Sequence, residues 1–173
     1  MNIVLIGYRC SGKTVVGKTL ARELHKEFLD TDALIEGNSD CSIETMVSTK
    51  GWDRFRETEK RLVKEVSRRD NLVIATGGGI VMDEENVKNL KQNGWVVWLK
   101  GKPEVLRERM AKEQGSAKVR PSLTGADPLE EIEEVLRVRK PFYERAGDLE
   151  VDTSNLSVGD AAALIMENLP KEI

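Results

Sequence analysis

The chain has 173 residues, with 27 basic and 30 acidic side chains and a formal net charge of −3. This balance argues against nucleic-acid binding, which usually accompanies a basic excess, and a hydrophobic content of 39% argues against global disorder. The longest apolar run, Ala161 to Met166, is too short to span a membrane. Two cysteines are too few for a disulfide scaffold and indicate a reducing compartment. We therefore expect one monomeric, cytoplasmic domain over residues 1–173, with no nucleic-acid or membrane partner.

Apolar strand patterns and amphipathic helix patterns alternate along the chain. Strands are predicted at residues 3–6, 27–30, 72–75, 95–99 and 149–152. Helices are predicted at residues 14–26, 33–37, 42–49, 51–69, 83–93, 103–113, 128–145 and 157–169. Strands separated by helices form βαβ units. The pattern therefore predicts an α/β fold with a mostly parallel, five-stranded sheet covered by helices on both faces.

The second half of the chain carries three local signals. Residues 115–127 lack periodicity, and we expect a mobile loop there. Pro141 is expected to bend or interrupt the helix predicted at 128–145. That helix begins with an acidic cluster, which we interpret as a solvated face because acids suit a helix N-terminus. The cluster consists of Glu130, Glu131, Glu133 and Glu134.

The strongest motif follows the first predicted strand. Residues 7–14 read Gly-Tyr-Arg-Cys-Ser-Gly-Lys-Thr and match the phosphate-binding pattern G-x-x-x-x-G-K-[ST] at every fixed position. Glycines let successive backbone N–H groups point at one anion, and the following helix adds the positive end of its dipole. In such a loop Lys13 reaches the β- and γ-phosphates of ATP, and the Thr14 hydroxyl ligates Mg²⁺. We assign nucleotide binding to Cys10, Ser11, Gly12, Lys13, Thr14 and Val15.

The second predicted strand ends in two acids, Asp30 and Asp32, with Thr31 between them. Ligands of an open α/β sheet gather outside the carboxyl ends of its strands, so we expect both acids near the phosphate loop. One of them would hold Mg²⁺, and the other would receive a proton from an acceptor hydroxyl. The alternative is a turn rich in Asp and Thr that has no function.

A glycine triplet and three arginines are further candidates. The triplet Gly77-Gly78-Gly79 ends the third predicted strand, where close approach of the backbone to a ligand or a simple tight turn would each explain it. Arg56, Arg120 and Arg139 carry guanidinium groups, which bind carboxylates or phosphates in a forked geometry. Spacing along the chain does not by itself bring these arginines into one site.

Taken in order, these motifs resemble those of the shikimate kinases over nearly the whole chain. The family pattern comprises the phosphate loop, an Asp-Thr-Asp followed by Ile-Glu, a Phe-Arg-x-x-Glu, a triple glycine, an Arg-Pro, an Arg-x-Pro-x-Tyr, and a final strand that runs into Asp-Thr. These segments lie here at residues 7–14, 30–36, 55–59, 77–79, 120–121, 139–143 and 152–153. The resemblance implies a P-loop fold similar to nucleoside monophosphate kinases, with a helical substrate-binding segment at about 32–61 and a mobile lid at about 112–127.

The resemblance also implies a reaction. The enzyme would transfer the γ-phosphate of ATP to the 3-hydroxyl of shikimate, within aromatic amino-acid biosynthesis, and would use Mg²⁺. Asp32 would orient or deprotonate that hydroxyl, Asp30 would support Mg²⁺, and Lys13 would contact the phosphates. Shikimate itself would contact Arg56 and Arg139 through its carboxylate and Gly77, Gly78 and Gly79 through its hydroxyls. Arg120 would approach the phosphates with the lid, Arg109 would flank the adenine, and Glu59 would hold Arg56.

Three residues depart from the family pattern, one of them Leu156, which stands where some relatives have a polar residue that contacts adenine. Cys10 stands where the family usually has a glycine, and a side chain is tolerated there if its φ stays negative. Ser122 replaces the usual leucine after Arg-Pro. Two alternatives therefore stay open: another small-molecule kinase of this fold, such as a gluconate or nucleotide kinase, or a nucleotide-sensing protein without turnover. An acceptor panel and acceptor-dependent ADP release distinguish them.

Overall fold

The sheet has the predicted size and direction. The structure, a computed structural model, describes residues 1–114 and 130–171. Five parallel strands form one sheet in the order β2-β3-β1-β4-β5. Their bounds are β1 (Asn2–Ile6), β2 (Glu27–Asp30), β3 (Leu72–Ala75), β4 (Gly94–Lys100) and β5 (Leu149–Asp152). The five-stranded parallel sheet is thus confirmed, with β1 at its centre.

Helices cover both faces of the sheet. The described helices are α1 (Lys13–Glu23), α2 (Thr31–Ser39), α3 (Ile43–Val66), α4 (Glu84–Gln92), α5 (Pro103–Gln114), α6 (Ile132–Ala146) and α7 (Val158–Glu167). Side chains of β1 alternate between two cores, as the pleat of a strand requires. Ile3 and Leu5 pack with α1 and α7, whereas Val4 and Ile6 pack with α3, α4 and α6. The three-layer α/β/α arrangement is therefore confirmed.

The helix α3 joins two segments that the sequence predicts separately. It runs from Ile43 to Val66 but breaks its helical geometry at Gly51, where φ is 80° and ψ is 166°. A side chain disfavours that backbone conformation, and glycine permits it. The element ends at Val66 rather than at residue 69. There the N–H groups of Arg68 and Arg69 bond to carbonyls three residues earlier, in a tight turn that leads into β3.

Pro141 does not interrupt its helix. The helix α6 continues through Pro141 to Ala146, so the expected interruption is wrong. Proline removes one backbone donor, and the carbonyl that would have received it belongs to Arg137, an exposed residue. The buried side chains of Tyr143 and Ala146 keep the last turn packed against the core, which offsets the lost bond.

Most of the predicted lid, at about residues 112–127, lies outside the residues that the structure describes. The loop predicted at 115–127, with Arg120 and Ser122, lies outside the described residues, and so do the first two residues of the helix predicted at 128. The helix α5 extends to Gln114. Among the helices of residues 1–114 and 130–171, none combines the length and apolar character needed to cross a membrane.

Candidate active site

The phosphate loop joins β1 to α1 at the carboxyl edge of the sheet. Gly12, the last residue before α1, has a φ of 97°, a value that other residues rarely adopt. Lys13 and Thr14 are the first two residues of α1, and no acidic residue lies in its first turn. An anion placed here would therefore meet the positive end of the helix dipole without a competing carboxylate in that turn.

The Lys13 side chain folds back over this loop. Its Nζ donates hydrogen bonds of 2.9 Å to the Gly7 carbonyl and 2.7 Å to the Tyr8 carbonyl. The residue is only 9% exposed, so the ammonium group is held inside the loop rather than in solvent. A phosphate entering the loop would compete with these two carbonyls for the same donor.

Cys10 adopts the conformation that the sequence did not favour. Its φ is 58°, so the condition of a negative φ, under which a side chain is readily tolerated, is not met. A non-glycine residue in this region costs about 1 kcal/mol. Two side chains of α5 contact Cys10 in this conformation: its carbonyl accepts a 3.4 Å bond from Arg109, and its thiol donates a 3.3 Å bond to Glu113.

Asp30 connects the phosphate loop to the start of α2. Its Oδ1 caps α2 by accepting bonds of 3.1 Å from the Asp32 N–H and 3.3 Å from the Ala33 N–H. Its Oδ2 accepts a 2.8 Å bond from the Thr14 hydroxyl. The oxygens of Asp30 and Thr14 thus lie side by side, as hard ligands of the type that Mg²⁺ prefers.

This oxygen pair fits Mg²⁺ only as part of a larger ligand set. Within residues 1–114 and 130–171, no group of three or more His, Cys, Asp or Glu side chains is placed to hold a metal ion. Mg²⁺ in kinases typically takes one or two protein oxygens, with waters and substrate phosphates completing its octahedron. Thr14 and Asp30 therefore fit a metal that arrives with the nucleotide.

The glycine triplet forms a wall between β3 and a short 3₁₀ turn at Ile80–Met82. The Gly77 N–H donates a 3.0 Å bond to the hydroxyl of Thr31, a fully buried residue. A Cβ placed on Gly77 would lie 2.7 Å from Asp32 Oδ1 and 3.0 Å from Glu59 Oε1. The carboxylates of Asp32 and Glu59 therefore lie so close to Gly77 that a side chain at this position would displace them.

Arg56 and Glu59 lie one helical turn apart on α3. Arg56 Nη1 donates a 2.6 Å bond to Glu59 Oε2, and its guanidinium lies 5.5 Å from the Trp52 ring and 5.0 Å from the Phe55 ring. A Cβ on Gly79 would lie 2.3 Å from Arg56 Nη2. Burial raises the pKa of the Glu59 carboxyl, and the Arg56 charge opposes that rise.

Arg139 reaches the same wall from α6. It is 8% exposed, and its Nη1 lies 3.6 Å from the position of a Cβ on Gly78. Tyr143, one turn later, donates a 2.5 Å hydrogen bond to the Gly78 carbonyl and stacks on Trp98 at 5.6 Å. Burial raises the pKa of the Tyr143 hydroxyl to about 12, so it remains a donor at all ordinary pH values. The fold thus brings together Arg56 and Arg139, which spacing alone did not.

Sequence reasoning missed a buried ion pair at this site. Arg9, in the phosphate loop, lies 3.5 Å from Glu131, and their side chains are 8% and 0% exposed. The interpretation of Glu131 as part of a solvated face is therefore wrong. Of the same acidic cluster, Glu130, Glu133 and Glu134 are exposed, as expected. No local signal separates Glu131 from these neighbours, because its partner comes from the other end of the chain.

Two cavities open around these residues. The larger, of about 1070 Å³, is walled by Arg9, Arg56, Glu59, the glycine triplet and Arg139. The smaller, of about 360 Å³, is lined by the phosphate loop and by Arg109, Thr153 and Leu156. Three residues line both cavities and so mark their junction. They are Thr14, Asp30 and Asp32.

Arg109 holds one wall of the smaller cavity. Its guanidinium donates bonds of 2.6 Å to the Thr153 carbonyl and 3.1 Å to the Thr153 hydroxyl. The same hydroxyl lies within hydrogen-bonding distance of two carbonyls, that of Ser11 at 3.2 Å and that of Lys100 at 3.0 Å, which places the end of β5 beside the phosphate loop. Val15, the last of the predicted loop contacts, is half exposed at the mouth of this cavity. Arg120, the remaining predicted site residue, lies outside the described residues.

One cavity contains the phosphate loop. The cavity beside it is lined by cationic side chains and by the glycine backbone. This combination defines a P-loop kinase that acts on a small molecule. The shikimate kinase family model matches residues 9–170. The chain belongs to the shikimate kinase family, and it is an ATP-dependent kinase that phosphorylates shikimate and uses Mg²⁺.

Individual relatives agree over nearly the whole chain. The chain is 41% identical to the shikimate kinase of Symbiobacterium thermophilum, over 98% of this chain and 96% of that protein. It is 39% identical to the shikimate kinase of Syntrophus aciditrophicus, over 99% of this chain and 92% of that protein. Among solved structures, the Acinetobacter baumannii shikimate kinase in complex with shikimate superposes with a TM-score of 0.88 and 33% identity, over 96% of this chain and 90% of that chain.

Proposed function

We propose that the smaller cavity holds Mg·ATP, that the larger cavity holds shikimate, and that the γ-phosphate passes to the 3-hydroxyl at their junction. The products are ADP and shikimate 3-phosphate. The observation that carries this proposal is that Thr14, Asp30 and Asp32 line both cavities. A phosphoryl group and its acceptor must meet in one place with fixed geometry, because positioning supplies most of the catalysis in phosphoryl transfer.

On the nucleotide side, we assign the phosphates to the loop backbone and to Lys13. The Lys13 ammonium exchanges its bonds to the Gly7 and Tyr8 carbonyls for bonds to phosphate oxygens. Thr14 and Asp30 supply the protein oxygens for Mg²⁺, which when bound neutralises charge on the β- and γ-phosphates. Arg109 lies at the wall where the rest of the nucleotide would sit.

On the acceptor side, we assign the shikimate carboxylate to Arg56 and Arg139. Both guanidinium groups lie against the glycine triplet, so a carboxylate between them also brings the ring hydroxyls next to backbone groups of Gly77–Gly79. Guanidinium forks suit a planar carboxylate because two parallel hydrogen bonds form at once. The wall is therefore complementary to a small ring that carries one carboxylate and several hydroxyls.

Asp32 is our candidate for the acceptor proton. When the oxygen of the 3-hydroxyl attacks the γ-phosphorus, the bond from that phosphorus to the β–γ bridging oxygen breaks and the electron pair leaves with ADP. The hydroxyl proton passes to the Asp32 carboxylate, which lies at the cavity junction and beside Gly77. General-base assistance of this kind contributes about 10²–10⁴-fold.

The remaining expectations extend this proposal to the whole chain. We propose that Arg120 assists the phosphates, that residues at about 32–61 form the acceptor-binding part, and that residues at about 112–127 form a lid. Exclusion of water by such a lid would limit wasteful hydrolysis of ATP. We further propose a monomeric, cytoplasmic enzyme with no nucleic-acid or membrane partner, in line with the net charge of −3.

The decisive experiment is ADP release from the purified protein with Mg·ATP, with and without shikimate. Strong shikimate-dependent release, with shikimate 3-phosphate identified by NMR, supports the proposal. Gluconate and nucleoside monophosphates serve as control acceptors, and turnover with one of them but not with shikimate would reassign the larger cavity. ATP binding without any acceptor-dependent release would instead support a nucleotide sensor.

A further inference from the structure

The Arg9–Glu131 ion pair is buried between the phosphate loop and the start of α6. Its two side chains are 8% and 0% exposed, with 3.5 Å between Arg9 Nη1 and Glu131 Oε1. Burying two charges costs several kcal/mol per ion, so such a pair is often no more stabilising than two apolar residues of similar size. Net stability is therefore a weak reason to keep it, and a role at the site is a stronger one.

Arg9 connects two parts of the site. It belongs to the phosphate loop, and it also lines the larger cavity beside Arg56 and Arg139. Its backbone nitrogen lies 3.6 Å from the position of a Cβ on Gly78. The preceding residue, Tyr8, packs among side chains of α5 and α6 in a separate small core. The loop thus lies close to the glycine wall on one side and packs against these helices on the other.

Glu131 lies at the start of the helix that carries Arg139. Glu131, Val135, Arg139 and Tyr143 are four residues apart and all buried, so they form one face of α6. One end of this face meets Arg9, its middle packs on Tyr8 through Val135, and its far end meets Gly78 through Tyr143. The ion pair therefore links the phosphate loop to the start of α6, two turns before Arg139.

A comparable arrangement holds Arg56 on the wall of the same cavity. Glu59, 1% exposed, anchors Arg56 at 2.6 Å. Each of the two arginines, Arg9 and Arg56, thus has a buried carboxylate that restricts its guanidinium on the cavity wall. An anionic acceptor gains from cations that are fixed before it binds, because less side-chain entropy is lost on binding.

We propose that Glu131 is a positioning residue for the acceptor: through Arg9 it fixes the phosphate loop against α6, and so sets how Arg9 and Arg139 face the larger cavity. The inference rests on the proposed assignment of shikimate to that cavity. It extends the acceptor site to a residue that lies outside its wall and would act without touching the substrate.

The test compares Glu131→Gln with Glu134→Gln, an exposed glutamate on the same helix whose partner is the surface residue Arg137. The first variant keeps the side-chain shape and removes the charge. We expect it to raise the KM for shikimate about tenfold while the KM for Mg·ATP changes less than about twofold, because a buried charged partner is worth that much to a guanidinium. Glu134→Gln should match the wild type in both constants.

A double-mutant cycle checks that the effect passes through Arg9. Once Arg9→Met is present, adding Glu131→Gln should change the KM for shikimate little further. Equal increases in both KM values together with a lowered melting temperature, or fully additive effects in the cycle, would overturn the inference in favour of a general structural role. If Glu131→Gln does not fold, the test uses Arg9→Lys instead. Lysine keeps the positive charge but lacks the forked guanidinium group. An unchanged KM for shikimate in Arg9→Lys would also overturn the inference.

Wild-type turnover measured in the same series separates the two proposals. Shikimate-dependent turnover in the wild type with an unchanged KM in Glu131→Gln rejects only the positioning role. Absence of shikimate turnover in the wild type, with another acceptor used instead, rejects the assignment of shikimate and with it the inference that rests on it.

Discussion

Arg56 donates a 2.6 Å hydrogen bond to Glu59, a carboxylate that is 1% exposed. The contact joins a cation on the wall of the larger cavity to a buried carboxylate on the same helix, α3. Burial favours the neutral form of Glu59 and raises its pKa above the ordinary value of 4.5, while the charge of Arg56 opposes that rise. The position of Arg56, which we propose binds the acceptor, therefore depends on the protonation state of the buried Glu59 carboxyl.

This relationship predicts a pH dependence of acceptor binding. As the pH falls through the raised pKa of Glu59, the carboxyl takes up a proton before exposed glutamates do, and Arg56 loses its charged partner. We expect the KM for shikimate to rise in that acidic range, above the range in which ordinary glutamates titrate. In Glu59→Gln this pH-dependent rise should disappear, and the KM should be high at every pH.

The measurement is the KM for shikimate across the acidic range for the wild type, Glu59→Gln and Glu57→Gln. Glu57 is an exposed glutamate on the same helix, 68% accessible, and its variant should retain the wild-type profile. Acidic pH, which should weaken shikimate binding, should strengthen the contribution of Glu59 to folding stability. Because the pKa of Glu59 is raised in the folded state, that contribution is present at low pH and is lost as the pH rises through the folded-state pKa. An identical pH profile for wild type and Glu59→Gln would contradict this account.

Asp32→Ala should separate turnover from nucleotide binding. The variant removes the carboxylate that we propose accepts the proton at the cavity junction, but it leaves Lys13 and the loop backbone in place. We expect kcat to fall at least about 100-fold while the affinity for Mg·ATP, measured by calorimetry, changes only slightly. Equal losses of both would count against the role assigned to Asp32.

Gly79→Ala tests whether Arg56 must lie against the backbone. The added Cβ would come within 2.3 Å of Arg56 Nη2, so the flexible guanidinium has to move. We expect the KM for shikimate to rise about tenfold, equivalent to about 1.4 kcal/mol, with little change in the KM for Mg·ATP.

Gly37→Ala is the matched control for that variant. Gly37 lies in α2, and nothing approaches the position of its Cβ within 4 Å. Alanine there should leave both KM values unchanged and add up to about 1 kcal/mol of stability, because glycine is the poorer helix former. A rise in the KM for shikimate in both variants would show that the effect does not come from Arg56.

Tyr143→Phe should weaken both the fold and the acceptor wall. It removes the hydrogen bond to the Gly78 carbonyl but keeps the aromatic ring on Trp98, and we expect a loss of about 1–3 kcal/mol in denaturant unfolding. Because the pKa of Tyr143 is about 12, this loss should be the same throughout the neutral range.

Tyr8→Phe offers the contrasting case. Within residues 1–114 and 130–171, the Tyr8 hydroxyl is buried and has no hydrogen-bond partner. Its removal should therefore be neutral or slightly stabilising, since no bond is lost and an unsatisfied polar group disappears. If Tyr8→Phe were as destabilising as Tyr143→Phe, loss of the hydrogen bond to Gly78 would not explain the destabilisation of Tyr143→Phe.

Local pattern was enough to predict the sheet and the strand–loop–helix context of Lys13, because strand burial, glycine turns and helix starts are encoded by neighbouring residues. Local pattern was not enough for Arg56 and Arg139, whose meeting at the glycine triplet depends on how α3 and α6 pack on the sheet. For those residues the ordered family motifs supplied the expectation. Their roles on the substrate stay predictions until the variants are measured.

The errors have a common physical origin in tertiary contacts. Glu131 resembles its exposed acidic neighbours in sequence, and only its contact with Arg9 distinguishes it. Cys10 prefers a negative φ by itself, but the loop between Gly7 and Gly12 imposes a φ of 58°. The helix α6 crosses Pro141 because packed side chains on its far side outweigh one missing backbone bond. In each case a local preference is overridden by packing.

The glycine triplet has a consequence for inhibitor design. A side chain at Gly77 would collide with Asp32 and Glu59, and one at Gly79 would collide with Arg56. A point mutation on this surface would therefore displace groups that we propose act on the substrate. An inhibitor that forms its hydrogen bonds with this backbone, rather than with a replaceable side chain, would leave the target few escape routes. Resistance selected against such a compound should map away from residues 77–79, to positions that restrict its access.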